Sequence, residues 1–417
     1  MTSASTQTFL IIGVFAATYA GMALGRVPGL RLGRTGVALL AVAVLLAFGG
    51  LDVEALGRAQ DAPTLLMLFA LMILSGQLGA AGFYDLCARR ITLTAASPGA
   101  MLFVTVVVSG VLSAVLANDI VVFAMTPMLC RGLAARGLDA RPFLLGLAGG
   151  SNAGSAATVI GNPQNILIGE AGGLDFWHFL AVCGPPAGIA MVIVFICVRF
   201  VWRAELATHP AQPTSVPVPE SDAGQITKGL LAVVVLIGLF ATPLPRAASA
   251  LALAALLLVS RPKDSRALFR AVDWPLLMLF ACLFAVTAAF AGTGLGAEAL
   301  AWLAGVGLLP DSLAVMTPLA LVLSNGIGNV PAVILIIAVW PDAPSGALYG
   351  LALLSTLAGN LFLIGSMANL IVAERARAVG VMLGFADFAK AGVPMTLASM
   401  AVAVLWLWAG GWLVWTQ

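Results

Sequence analysis

Ten apolar runs, each near the length of a membrane-crossing helix, constrain this chain more than any other feature. They lie at 8–25, 36–51, 63–84, 143–169, 176–202, 227–243, 246–260, 274–293, 349–372 and 392–414. A helix crossing about 30 Å of hydrocarbon needs about 20 apolar residues. Charged residues are 9% of the chain, against about 25% in a soluble domain. So few charges cannot build a water-facing shell, so lipid is the expected surround and the fold is expected to be an all-α polytopic membrane protein. Residues 1–8 have no basic n-region, so the first run reads as a retained span. Cys87, Cys130, Cys183, Cys197 and Cys282 show no ligand spacing, so no disulfide or metal cluster is expected. The net charge of +2 with scattered basic residues predicts no nucleic-acid partner.

Two more apolar stretches, 98–130 and 312–340, are interrupted at Asn118-Asp119 and at Gly326–Asn329. Each is too long for one span, and each half is too short for a comfortable crossing. Loop charge suggests how they run. If both are re-entrant hairpins and the N-terminus is outside, every Lys and Arg except Arg58 and Arg246 falls in a cytoplasmic segment. That is the positive-inside pattern of a protein of the inner (plasma) membrane, and it puts both termini outside. Segment 204–225, rich in Pro, Ser and Thr, reads as a flexible cytoplasmic linker.

The chain also repeats itself. LLMLFA occurs at Leu65–Ala70 and again at Leu276–Ala281, an offset of 211. Asn118-Asp119-Ile120 matches Gly328-Asn329-Val330 at 210, and Ile160–Asn165 matches Ile364–Asn369 at 204. The order and near-constant spacing predict two repeats, 1–203 and 226–417, joined by the linker at 204–225. Each would hold five transmembrane helices and one hairpin. Five is odd, so the second repeat inserts upside down, with broken helices at the midplane, as in secondary transporters.

Four breaks carry the polar groups. They are Leu116–Asp119; Gly149–Ser155, running on to Thr158 and Gly161–Asn165; Ser324–Pro331; and Gly359-Asn360 with Gly365, Ser366 and Asn369. Backbone at membrane depth must be buried in protein or line a cavity. Freed carbonyls, amides and hydroxyls suit small ions, and half-helix N-termini suit anions. The candidate substrate- or ion-binding residues are therefore Asn118, Asp119, Ser151, Asn152, Ser155, Thr158, Gly161, Asn162, Asn165, Asn325, Gly328, Asn329, Asn360, Gly365, Ser366 and Asn369. No catalytic residue and no cofactor is expected beyond a coupling Na⁺ or H⁺, with Asn118 and Asp119 as candidate Na⁺ ligands. Asp119 is the one acid deep in the first half, a functional candidate by its cost; the plainer alternative is that it caps the following half-helix. For Asn162, Asn165, Asn360 and Asn369 the alternative is helix–helix hydrogen bonding. Asp85, Glu170, Asp175, Glu298 and Glu374 sit at span ends and read as ordinary interfacial charges.

At these breaks the sequence resembles the ion transporter superfamily, which includes arsenite permeases, D-type sodium/proton antiporters, citrate transporters and divalent anion/sodium symporters. SNAGSAATVIGNPQNILIG (151–169) resembles its Gly-rich run ending in Gly-x-Pro-x-Asn, and AGNLFLIGSMANLIVAERA (358–376) the second-half counterpart. LANDIVVFAMTP (116–127) and SNGIGNVPAVI (324–334) resemble the two hairpin tips. The resemblance implies a homodimer with a scaffold part and a mobile part that carries substrate by an elevator-like displacement. In the symporters each tip carries Ser-Asn-Thr; here only the Asn of each is kept, and the Asn-Asp tip resembles arsenite-permease relatives.

These readings support a secondary transporter of a small anion or oxyanion, inorganic or carboxylate, coupled to Na⁺ or H⁺. Arsenite or antimonite efflux and Na⁺/H⁺ antiport are the alternatives. A channel fits less well, because hairpins meeting at the midplane close a pore. An enzyme fits poorly, since no nucleophile–base pairing or nucleotide motif is present.

Overall fold

The computed structural model describes residues 2–25, 32–93, 97–207, 220–259 and 265–416. Much of the expected linker, and Arg26, Arg31, Arg261 and Lys263, lie outside the described residues. The first half runs α1 (Thr2–Leu24), α2 (Arg34–Ala47), α3 (Val53–Arg58), α4 (Ala62–Ala80), α5 (Phe83–Leu93), α6 (Pro98–Val115), α7 (Asn118–Ala134), α8 (Arg141–Ser155), α9 (Pro163–Ala171) and α10 (Phe176–Val201). The second runs α11 (Ala223–Leu239), α12 (Arg246–Leu258), α13 (Ser265–Arg270), α14 (Trp274–Ala291), α15 (Leu295–Gly305), α16 (Leu313–Gly326), α17 (Asn329–Val339), α18 (Ser345–Ala358), α19 (Met367–Arg377) and α20 (Phe385–Ala409). The two series match helix for helix, short helices included. Among the described residues there is no strand, and Ser312 and Val414 form an isolated bridge.

Local chemistry sets the boundaries. Asp61 and Asp273 each precede an x-Pro pair and accept a backbone N–H, from Thr64 at 3.1 Å and from Leu276 at 3.0 Å. These are N-caps with Pro in the first turn, which stops the apolar pattern from extending backwards. Several expected spans are corrected. The run 63–84 ends at Ala80, and Phe83–Leu93 forms a separate helix carrying Asp85, Arg89 and Arg90. The runs 143–169 and 349–372 are each two helices with an irregular break. The short helices α3, α5, α13 and α15 stand in segments expected to be loops.

Among the described residues, six helices are long and apolar enough to cross a membrane: α1, α4, α6, α10, α14 and α20. One of them, α6, has 18 residues, so the expectation that each hairpin arm is too short to cross fails for it. Length does not decide its topology; contacts at its ends do. Arg136, just after α7, donates to the carbonyl of Thr92, in the last turn of α5 ahead of α6, at 2.7 Å. The two outer ends of the α6–α7 pair therefore lie at the same end of the bundle. Packing interlocks the halves. α4 packs on α12 and α14 on α2, each pair the mirror of the other, and α10 packs on α20. The fold is an all-α polytopic membrane protein of two inverted repeats.

Candidate functional site

The two hairpins end on different backbone solutions. In the first, Leu116 is extended (φ −131°, ψ 158°) and α7 starts at Asn118. In the second, Gly328 has φ 97° and ψ 153°, a region essentially reserved for glycine, and α17 starts at Asn329. Pro331 then occupies the first turn, where its missing N–H costs nothing. Both tips line one narrow space, together with Arg34 of α2, Pro163 and Gln164 of α9, and Ser366, the residue that precedes α19. Asn118 and Asn329 are buried there. Among the described residues, their side-chain carbonyl oxygens, that of Asn325 and the Ser324 hydroxyl have no hydrogen-bond partner. Buried acceptors are nearly always paired, by protein, water or an ion.

Asp119 shares this space. The residue preceding α7 is Ala117, with no side-chain cap, so Asp119 does not cap the half-helix. Among the described residues its carboxylate is in no hydrogen bond or ion pair. It also lines a cavity of about 600 Å³ bounded by α4, α7, α9 and the start of α14. The floor of that cavity, Asn118, Asn162 and Pro163, is buried, while its rim, Ala80, Arg270 and Asp273, is exposed. The cavity therefore opens at the end of the bundle where most basic residues cluster.

The other amides do different work. Asn165 donates to the carbonyls of Ser155 (3.3 Å) and Thr158 (3.0 Å). Asn369, its counterpart, donates to Gly359 (2.8 Å) and Phe362 (3.1 Å). All three positions in each set are 204 residues apart, so each amide closes the same break in its own repeat. The repeats are then stitched reciprocally. Asn152 donates to Asn360 (2.8 Å) and Asn369 (2.9 Å) and accepts from Ser366 (3.0 Å). Thr356, at the position of Asn152 in the other half, accepts from Asn162 (3.3 Å) and Gln164 (3.2 Å). Asn162 also caps α9 by accepting from the amide of Asn165 at 2.9 Å and donates to the Ser155 hydroxyl at 3.0 Å. Ser151 shares a hydrogen bond with Ser113 at 2.8 Å, and Thr158 donates to the Ala114 carbonyl. Asn325 donates to the carbonyls of Leu321 and Ala358. At Gly161 an added Cβ would sit 2.2 Å from the Ser155 carbonyl, so only glycine lets the break fold back.

Seven candidates thus line the space between the tips or its adjoining cavity: Asn118, Asp119, Asn162, Gly328, Asn329, Gly365 and Ser366. Ser151, Asn152, Ser155, Thr158, Asn165, Asn325, Asn360 and Asn369 instead hold the broken helices to each other and to the hairpins. Charged residues not singled out from the sequence also reach the site: Arg34, Arg270 and Asp273. The signal was present for two of them, since Arg34 and Asp273 each recur 212 residues away, as Arg246 and Asp61.

Comparison with known proteins agrees with this architecture. Residues 9–348 match the citrate transporter family. The silicon efflux transporter LSI3 of Oryza sativa subsp. japonica is 27% identical over 91% of this chain and 93% of its own. The putative transporter arsB of Dictyostelium discoideum is 23% identical over 90% and 87%. The 46 kDa membrane protein of Mycobacterium leprae is 28% identical over 96% and 98%. The crystal structure of the Alcanivorax borkumensis YdaH transporter superposes with a TM-score of 0.57 at 15% identity, covering 97% of this chain and 98% of its own, a likeness of fold. The chain belongs to the citrate transporter family.

Proposed function

We propose that this transporter carries a small oxyanion or other small anion across the inner membrane, coupled to Na⁺ or H⁺, by moving a mobile part against a scaffold. The mobile part consists of the hairpins and broken helices. The observation that carries the reading is the space where the tips meet. It offers a guanidinium from Arg34, a carboxylate from Asp119 without a partner, and the unpaired oxygens of Asn118 and Asn329. An anion needs the first, and a coupling cation needs the others. In this reading the repeats are 1–203 and 226–417, the basic end and the 204–225 linker face the cytoplasm, both termini are outside, and two copies pair through the scaffold. Substrate would enter the cavity from the cytoplasmic side.

A second reading, export of a neutral oxyacid such as arsenite, draws on the balance of charge. Asp119 and Asp273 share the cavity with Arg270, so its lining has no net positive charge. The silicon and arsB-type relatives support it. The test is uptake into proteoliposomes with citrate, sulfate, phosphate, silicate and arsenite under imposed Na⁺ or pH gradients. Gradient-driven movement of one anion is the expected result. Movement of silicate or arsenite alone selects the second reading. Na⁺/H⁺ exchange with no movement of any of them overturns both.

A further inference from the structure

The two halves are not equivalent in this structure, and the difference is concentrated at one ion pair. At the end opposite the cavity mouth, Arg246 opens α12. It donates to the carbonyls of Leu174 (2.6 Å) and Gly169 (3.0 Å) and pairs with Glu170 of α9 at 3.1 Å. Both side chains are mostly buried, at 17% and 18% exposure. This ties a scaffold helix to the outer end of a broken helix.

The repeat supplies a mirror of this pair. Arg246 corresponds to Arg34: each is the first residue of its helix, and the offset of 212 also relates α3 to α13 and Asp61 to Asp273. Glu170 corresponds to Glu374, by the offset of 204 that relates the starts of α8 and α18 and of α9 and α19. The mirror pair is Arg34 with Glu374, and it is not formed. Glu374 is exposed and in no ion pair among the described residues. Arg34 donates to the Met22 carbonyl at 3.2 Å and faces the second hairpin tip, its guanidinium 3.9 Å from where a Cβ on Gly328 would sit. Packing shows the same inequality. α9 packs on α4, whereas Leu276 of α14 and Ile371 of α19 line one cavity between them.

We infer that Arg246–Glu170 and Arg34–Glu374 are alternating latches that position the mobile part, one made when the cavity opens to the basic end and the other when it opens to the opposite end. The inference rests on the mobile-part reading proposed above. Both arginines sit on scaffold helices and both glutamates on broken helices. A slide that pulls Glu170 away from Arg246 carries Glu374 toward Arg34. A contact made in one state alone is what biases a two-state equilibrium. Neither Glu170 nor Glu374 lines the tip space or the cavity, so neutralising either glutamate shifts the state without removing the tip site.

The test uses the full chain with its five cysteines replaced and one thiol introduced in the cavity wall, Ala124→Cys. Labelling by a membrane-impermeant maleimide from the basic side reads the open fraction. Glu170→Gln is expected to slow labelling and Glu374→Gln to speed it, each by roughly fivefold, the factor for about 1 kcal/mol of differential contact. The double exchange Arg246→Glu with Glu170→Arg, at a pair that lines neither the tip space nor the cavity, restores the parent rate. A second measurement guards against misfolding: with thiols at positions 34 and 374, oxidation forms a cross-link that blocks labelling at 124. Shifts in the same direction, or none, in a parent whose labelling responds to substrate and gradient, overturn the latches alone. A parent whose labelling never responds overturns the mobile-part reading and the latches with it.

Discussion

Asp119 and Asn165 are both polar groups at membrane depth, yet they use their hydrogen-bonding capacity in opposite ways. Asn165 spends its amide on two backbone carbonyls left free by the break, so its role is structural. Asn165→Ala should cost about 1–3 kcal/mol through the unpaired carbonyls, read as a lower melting temperature in detergent, and Asn369→Ala should behave alike. Asp119 has no hydrogen-bond or ion-pair partner among the described residues, so the fold loses little without its charge. Asp119→Asn should leave the melting temperature nearly unchanged. It should lower gradient-driven uptake about tenfold or more, since losing one charge-assisted contact of about 1.5–3 kcal/mol changes a rate by that factor. Both stood among the candidates read from the sequence, because a polar side chain at a break looks the same whether it faces a carbonyl or a cavity. Arg34 escaped notice for the converse reason: it reads as a loop charge until the fold turns α2 toward the second hairpin tip.

At the scale of elements, the breaks and caps were legible because Gly, Pro and Asp act locally. Asp61-x-Pro and Asp273-x-Pro set two helix starts wherever the chain later goes. Gly328 is the sharpest instance. Its φ of 97° and ψ of 153° exclude a side chain, so Gly328→Ala should strain the second tip by about 1–3 kcal/mol. The expected readout is loss of uptake larger than the accompanying fall in melting temperature, because strain at the tip displaces Asn329 directly. The short helices α3, α5, α13 and α15 were not legible. Each spans two turns or three, too brief for a periodic pattern to stand out from loop composition. The irregular ends of α8 and α18 were visible as Gly-rich sequence, but not which carbonyls they leave free.

For the whole molecule, the cavity mouth gives a direct prediction. In oriented vesicles, the thiol of Ala124→Cys should react with an impermeant reagent applied at the basic side, and that of Thr242→Cys, between α11 and α12, with reagent applied at the other. Reaction of both from one side would contradict the sidedness. The sequence alone determined that the chain is an all-α membrane protein with two related halves, because lipid tolerates so few charges and the repeat survives as matched motifs at matched offsets. It also located the four breaks, because glycine and proline announce them. Only the tertiary structure decided which polar groups are spent on holding breaks together and which face open space. It alone showed that Arg246 meets Glu170 while Arg34 does not meet Glu374. Two inverted repeats share nearly one pattern, yet a transporter in any one conformation must break that symmetry, and the choice is made by packing between the halves.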